Sequence, residues 1–182
     1  MAAHGVPGVK LHPVFQGINF DDIRYLRIID CACENNLIIL IHAGFDASFP
    51  GADFASPARI RYVYDQLSPD KLVLAHMGGW DDWDLTEKLL VDCDVYLDTA
   101  YTLSPMRFNT DGAASSKHYI PMSNAQFLRM VRIFGVDHIL FGSDSPWTDI
   151  AESLQLVKES GLRRSELDAV LGENAARLLG LF

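Results

Sequence analysis

The sequence has few cysteines and few basic residues, and each shortage excludes a class of protein. Three cysteines occur in 182 residues, Cys31, Cys33 and Cys93, and none of them has the C-x-x-C spacing of a zinc ribbon or a redox pair. Lys and Arg number 15 against 24 Asp and Glu, which gives a formal net charge of -9. A nucleic-acid surface needs a basic patch, so we expect no nucleic-acid partner.

Long apolar runs are also absent. The longest one, residues 37–45, is far below the roughly 18 to 20 residues that span a bilayer, so we expect no membrane partner. Residues 1–8 show neither a charged n-region nor an apolar h-region, which predicts a cytoplasmic location. Apolar residues are plentiful at 49%, enough for the core of one globular domain. We therefore predict a single domain over residues 1–182.

Five short apolar runs recur along the chain, and each is followed by a polar residue, a turn and a helical pattern. This alternation is typical of βα units around a parallel sheet and predicts an α/β fold. The predicted strands are residues 9–11, 37–41, 72–75, 95–97 and 138–141. The predicted helix N-caps include Asn19, Ser56, Ser123 and Thr148. Residues 100–121 lack apolar periodicity, and we expect a functional loop there.

Residues that bind metals or move protons stand at the ends of all five predicted strands. They are Lys10, His12, His42, His76, Asp98 and Asp144. Separations of 32, 34 and 68 residues between Lys10, His42, His76 and Asp144 correspond to one, one and two βα units. Because the carboxyl ends of parallel strands meet at one edge of a sheet, we expect these side chains to gather at one site.

Two imidazoles and a carboxylate on neighbouring strand ends suit a divalent transition metal. Zinc is the first expectation, with manganese or iron as other candidates, because catalytic zinc sites use N and O ligands and keep one position open. Such a metal lowers the pKa of water toward about 7, and a nearby carboxylate is able to take the proton. This pattern indicates metal-assisted hydrolysis of a small-molecule substrate.

Six segments, in chain order, resemble the amidohydrolase-related group (amidohydrolase family 2) of the metal-dependent hydrolase superfamily. They are GVKLHP at 8–13, IHAG at 41–44, AHMGG at 75–79, YLDT at 96–99, ILFGSDSPW at 139–147 and ENAARLLGL at 173–181. The resemblance implies a fold of the (β/α)8 TIM-barrel type, in which these five strands correspond to barrel strands four to eight.

The same resemblance assigns roles to individual residues. It implies that His42 and Asp144 are metal ligands, that Asp144 is also the catalytic proton acceptor, and that His76 is the catalytic histidine after strand six. Lys10 follows strand four, where some superfamily members carry a carboxylated lysine. Lys10 and His12 are therefore possible metal or substrate residues, although Lys10 could instead pair with a carboxylate. We expect Asp98 to serve as a hydrogen-bonding residue.

One departure from the family pattern is the lack of the first-strand H-x-H pair, which supplies two metal ligands in the family. A complete barrel also needs about 250 residues. We therefore predict a partial barrel of about five parallel βα units in an N-terminally incomplete domain. Three alternatives stay open: a decarboxylase, a hydratase, and a non-catalytic fragment. A bare strand edge also favours association, so a homo-oligomer is possible.

Overall fold

The computed structural model describes residues 4–105 and 120–181, and its centre is one five-stranded parallel sheet. Most of the loop predicted at 100–121 lies outside the described residues. The strands lie side by side in chain order. They are β1 (Gly8–Leu11), β2 (Ile38–Ile41), β3 (Leu72–Leu74), β4 (Tyr96–Asp98) and β5 (Ile139–Leu140).

Helices connect consecutive strands, as the βα pattern predicts. Between β1 and β2 run α1 (Pro13–Gln16) and α2 (Ile23–Glu34), and the next three connections contain α3 (Pro57–Leu67), α4 (Trp83–Leu90) and α5 (Asn124–Phe134). After β5 come α6 (Ile150–Lys158), α7 (Arg164–Asp168), a π-helical turn (Ala169–Glu173) and α8 (Asn174–Leu178). In the described ranges, no helix is long and apolar enough to cross a membrane.

The two faces of the sheet have different surroundings. On one face, alternate strand residues are fully buried against the helices; they include Ile39, Ile41, Leu72, Leu74, Leu97 and Ile139. On the opposite face Lys10 is exposed, Leu40 and Tyr96 are half-buried, and Val73 and Leu140 are buried. The helix-covered face holds most of the core, and the polar side chains gather at the carboxyl edge of the sheet.

The predicted elements are all present, but two helix starts differ from prediction. Helix α2 begins after Asp22, whose carboxylate accepts a hydrogen bond from the Arg24 N–H at 2.9 Å, and not after Asn19. Helix α6 is capped by Asp149, which accepts from the Glu152 N–H at 2.9 Å. Thr148, the predicted cap, turns its hydroxyl to Ser153 at 3.0 Å. In both cases a carboxylate, a stronger acceptor than a neutral side chain, takes the cap.

The C-terminal helices are fixed to β5 through one buried amide. Asn174, only 1% exposed, donates from Nδ2 to the carbonyl oxygens of Val136 and Ile139, each at 2.8 Å. Ile139 is the first residue of β5, and Val136 begins the turn that leads into it. This amide therefore keeps the C-terminal helices against the sheet and supports the position of the segment that follows β5.

Candidate active site

A cavity of about 260 Å³ lies at the carboxyl edge of the sheet. Five of the six predicted strand-end residues line it: Lys10, His12, His42, His76 and Asp144. Aromatic rings make up much of the remaining wall, namely Phe15, Phe45, Trp80, Tyr101 and Trp147. The strand ends thus meet in one place, as the βα spacing predicts, and the polar groups face an apolar wall.

Two imidazoles in the cavity are joined by a hydrogen bond. His76 Nε2 lies 3.0 Å from His42 Nδ1, and His76 Nδ1 lies 2.8 Å from the carbonyl oxygen of Ala100. A carbonyl only accepts, so His76 Nδ1 carries a hydrogen. When His76 is neutral, its Nε2 is therefore the acceptor and His42 donates from Nδ1. Both rings are buried, and burial, with the nearby cationic forms of His76, His12 and Lys10, lowers the pKa of His42 to about 2.

His76 reaches its neighbour because the backbone turns sharply after β3. His76 has the same alternation as Leu72 and Leu74, which predicts that it lies on the helix-covered face. Instead His76, Met77 and Gly78 all have positive φ, at 60°, 52° and 82°. Non-glycine residues in this region cost of order 1–3 kcal/mol each, and such strain concentrates at functional sites.

The Asp98 carboxylate stabilises this strained turn through hydrogen bonds to the backbone. Its Oδ1 accepts from the backbone N–H groups of His76 at 2.9 Å and Ala100 at 3.0 Å. Loss of hydration raises the pKa of this buried carboxyl, although the charges of His76 and Lys10 and the hydrogen bonds oppose the rise. Asp98 therefore acts as the predicted hydrogen-bonding residue, and it holds both backbone groups that position His76.

The β2–β3 pairing continues past the strand ends through a glycine. Gly44 and Trp80 form a parallel bridge, in which the Trp80 N–H donates to Ala43 at 3.0 Å and the Phe45 N–H to Trp80 at 3.1 Å. Gly44 has φ +83°, and a Cβ there would lie 2.3 Å from the Trp80 nitrogen. Only glycine fits this position, and the close approach brings the His42 and Trp80 segments together at the cavity.

His12 and Asp46 lie next to His42. The rings of His12 and His42 stack with centroids 4.3 Å apart and planes 18° from parallel. Asp46 Oδ2 is 3.5 Å from His12 Nε2 and 3.9 Å from His42 Nε2. Among the residues that the structure describes, these three form the one group of metal-binding side chains whose ligand atoms all lie within 4.8 Å of one another.

Asp46 is the residue that the sequence reasoning missed. It does not follow a strand directly but lies four residues after His42, in the segment that leads to α3. Its Oδ1 accepts a hydrogen bond from the Ser48 N–H at 2.8 Å, and its Oδ2 faces the imidazoles of His12 and His42. The H-x-x-x-D spacing is a weak signal in a loop, where no helical period places the two side chains together.

Lys10 and Asp144 line the same cavity from the first and last strands. Partial burial lowers the pKa of Lys10, while the carboxylates of Asp98 and Asp144 act in the opposite direction. Asp144 is half-buried and has φ +60°. Lys10 thus lies within the electrostatic reach of both carboxylates. The catalytic and metal-binding roles of these residues remain predictions.

Comparison with known proteins identifies the family. Residues 1–181 match the protein-family model described as Amidohydrolase. The chain belongs to the amidohydrolase family. No curated protein matches the chain, but solved structures do. The chain is similar to an uncharacterised TIM-barrel protein from Bordetella bronchiseptica, with a TM-score of 0.78 at 20% identity over 97% of this chain and 58% of that one.

Two further amidohydrolase-fold structures were solved with metals. An amidohydrolase from Burkholderia multivorans with bound zinc has a TM-score of 0.61 at 19% identity, over 88% of this chain and 58% of that one. A dihydroxybenzoic acid decarboxylase from Polaromonas sp. JS666 was solved with bound manganese and the inhibitor 2-nitroresorcinol. It has a TM-score of 0.64 at 14% identity, over 90% of this chain and 55% of that one. The chain spans a little over half of each of these three proteins, so its sheet is a partial TIM barrel.

Proposed function

We propose that this chain forms part of the active site of a metal-dependent hydrolase that acts on a small polar substrate. The single observation that carries the proposal is the meeting of Lys10, His12, His42, His76 and Asp144 in one cavity. These side chains come from strand ends far apart in sequence, and the carboxyl edge is where barrel enzymes place their catalytic groups.

The donor set fits a divalent transition metal. The resemblance assigns the metal to His42 and Asp144, and the cavity contains further imidazole and carboxylate donors beside His42. Neutral imidazole and carboxylate are the ligands that zinc, iron and manganese accept. When bound, the metal supplies Lewis acidity and makes hydroxide available near pH 7.

The chain's own residues then orient the substrate and move a proton. Asp144 takes the proton from the attacking water as general base. His76, whose Nδ1–H donates to the Ala100 carbonyl and whose Nε2 accepts from His42, lines the cavity in a fixed position and orients the substrate there. The Lys10 ammonium group binds an anionic or polar part of the substrate. The aromatic side chains of the cavity exclude water from the bound substrate.

The test is metal-dependent proton release. The purified chain is stripped with a chelator, reloaded with Zn²⁺ or Mn²⁺, and offered a panel of small esters, lactones and amides while pH-stat titration follows the acid formed. Loss of a general base lowers the rate by about 10²- to 10⁴-fold, so we expect the Asp144→Asn variant to be at least about 100-fold slower. His138→Gln, which replaces a half-buried imidazole that lies beside Asp94 and does not line the cavity, is the matched control. Turnover that survives chelation and Asp144→Asn would contradict the proposal.

Decarboxylation is the second candidate. The Polaromonas decarboxylase shares the fold, and the cavity of this chain places the Lys10 cation beside aromatic rings that suit a planar carboxylic acid. Decarboxylation releases CO₂ and puts a proton on the carbon left behind, whereas hydrolysis consumes water. CO₂ release from a dihydroxybenzoic acid, without net cleavage of the esters and amides, would favour this candidate.

A further inference from the structure

Each of the last three strands is followed by a residue that has a left-handed backbone conformation although it is not glycine, and all three residues line the cavity. They are His76 after β3, Tyr101 after β4 and Asp144 after β5, with φ values of 60°, 50° and 60°. Strained residues of this kind concentrate at functional sites. The proposed function uses His76 and Asp144, but it gives Tyr101 no role of its own.

The strain at Tyr101 comes from its position in a tight turn. The Thr102 N–H donates to the Thr99 carbonyl oxygen at 3.3 Å, so Tyr101 occupies the third position of a four-residue β-turn. With a positive φ that position favours glycine, because a side chain places its Cβ close to a backbone carbonyl oxygen. Glycine would form the same turn without strain. The turn itself therefore does not explain why the chain has a tyrosine there.

Hydrogen bonds fix this turn to the strand ends on both sides of it. The Ala100 carbonyl oxygen accepts from His76 Nδ1 at 2.8 Å. On the other side, the Thr99 hydroxyl donates to the Gly142 carbonyl oxygen and accepts from the Gly142 N–H, each at 3.1 Å. Gly142 lies two residues before Asp144. Because β4 lies between β3 and β5, the turn holds its tyrosine between the two residues to which the proposed function assigns the chemistry.

Neighbouring aromatic residues fix the position of the Tyr101 ring. The Trp80 indole N–H donates to the Tyr101 carbonyl oxygen at 2.8 Å, and the two rings lie 27° from parallel with centroids 6.3 Å apart. The ring of Phe45 lies 31° from that of Trp80, with centroids 6.0 Å apart. Tyr101 is only half-buried and lines the cavity, so part of its side chain is accessible to a ligand there. Aromatic rings in this arrangement favour contact with a planar group.

We propose that Tyr101 is a specificity-determining residue of the cavity. Its ring contacts the part of the substrate next to the bond that breaks, and it favours a planar unsaturated group there over a saturated group of similar size. The inference rests on the proposed function and deepens it, because it adds a preference for one substrate shape. The strained backbone then has a physical reason, since it holds an aromatic ring where the turn alone would favour glycine.

The experiment measures the binding of two probes, benzoate and cyclohexanecarboxylate, to the whole chain by isothermal titration calorimetry. Both probes carry a carboxylate on a six-membered carbon ring, and only the ring of benzoate is planar. Contacts of the carboxylate, such as those with the Lys10 cation in the cavity, therefore cancel in the ratio of the two dissociation constants. The variants are Tyr101→Phe, which keeps the aromatic ring, and Tyr101→Gly and Tyr101→Ala, which remove it. Circular dichroism checks that each variant folds.

We expect the unchanged chain to bind benzoate about tenfold more tightly than cyclohexanecarboxylate, which is the scale that stacking on an aromatic side chain contributes. Tyr101→Phe should keep that ratio, and Tyr101→Gly and Tyr101→Ala should both lower it by about fivefold or more. Tyr101→Gly should also unfold at a higher urea concentration than Tyr101→Ala, because glycine adopts a positive φ without strain.

Ser68 is the matched control for the backbone. It is exposed at the end of α3, has φ +41° and is not among the described residues that line the cavity. Ser68→Gly should likewise be more stable than Ser68→Ala, but neither substitution should change the ratio of the two dissociation constants.

Four results would overturn the inference. They are a chain that binds neither probe, a ratio near one for the unchanged chain, a ratio that Tyr101→Gly and Tyr101→Ala leave unchanged, and a Tyr101→Gly variant no more stable than Tyr101→Ala. In the third case the ring does not contact the ligand, and in the fourth the backbone is not strained. The proposed hydrolase function survives each of these results, because the separate proton-release assay decides on it.

Discussion

His42 Nδ1 lies 3.0 Å from His76 Nε2, although the two residues are 34 positions apart and belong to different strand ends. Both rings are buried, at 8% and 3% exposure. A hydrogen bond between two buried groups contributes modestly when formed, but its loss leaves an unsatisfied polar group, which is the larger effect. This contact therefore links the stability of the fold to the geometry of the cavity.

The first prediction concerns that contact. His76→Ala leaves the His42 Nδ1–H without its acceptor, while the Ala100 carbonyl keeps its hydrogen bond from Thr102 Oγ1 at 3.0 Å. We expect the free energy of unfolding to fall by about 1–3 kcal/mol. Urea denaturation measures the change. His138→Ala removes a half-buried imidazole that contacts the Tyr96 ring and whose ion-pair partner Asp94 is a surface carboxylate, and it should cost less than about 1 kcal/mol. If both variants lose the same free energy of unfolding, the hydrogen bond between the two imidazoles contributes no more to stability than the contacts of His138 do.

A second prediction separates steric overlap from backbone conformation. Gly44 and Gly51 both have φ +83°, but a Cβ at Gly44 would lie 2.3 Å from the Trp80 nitrogen, while one at Gly51 would meet nothing within 4 Å. We expect Gly51→Ala to lose about 1 kcal/mol from the positive φ alone, and Gly44→Ala to lose clearly more. Thermal unfolding of the pair measures the difference, and similar melting temperatures would refute the close-approach argument.

The third prediction tests the buried amide of Asn174. Alanine there removes both hydrogen bonds to the Val136 and Ile139 carbonyls, and we expect a loss of about 1–3 kcal/mol in urea. Asn174→Asp keeps the shape but places a carboxylate oxygen against a carbonyl, so at pH 7 it should be less stable than the alanine variant. Protonation supplies a donor, so acidification should narrow that gap. An aspartate variant as stable as the unchanged chain would contradict the assigned hydrogen bonds.

A fourth prediction concerns pH. Hydrogen bonds from the Arg163 side chain and backbone, with a smaller contribution from Arg132, lower the pKa of Glu166 to about 2 from its usual value near 4.5. Because the folded-state pKa is the lower one, the ionised group stabilises the fold above about pH 4.5, and that contribution disappears as pH falls toward 2. The stability difference between the unchanged chain and Glu166→Gln should therefore be constant at neutral pH and shrink below pH 4.5.

That stability difference is measured by chemical denaturation at a series of pH values. Comparing the two proteins at each pH cancels the titration of other carboxylates, which both share. Glu173→Gln, in which the acid is exposed, is the control and should show no such dependence on pH. A difference that stays constant from pH 6 to pH 2 would show that the arginine contacts do not perturb Glu166.

The sheet could be predicted from the sequence because apolar runs and turns repeat with a regular spacing. The same spacing predicts that Lys10, His42, His76 and Asp144 meet, since parallel strands fix where their ends lie. Two details were not accessible. The left-handed turn at His76 follows from hydrogen bonds to Asp98, which is 22 residues away. Asp46 lies in an irregular loop, and the strand alternation that predicts the face of a side chain does not apply there.

The strand order has a consequence for how the chain is built. Each strand pairs only with the next one along the chain, and the most distant backbone partners, such as Asp98 and Leu140, are 42 residues apart. Closing such short loops costs little entropy, and domains begin to fold from the N-terminal side during synthesis. His12, His42 and His76, together with the Asp98 carboxylate that accepts from the His76 N–H, are all present once β4 has left the ribosome. The imidazole side of the cavity is therefore able to assemble before Asp144 has been translated.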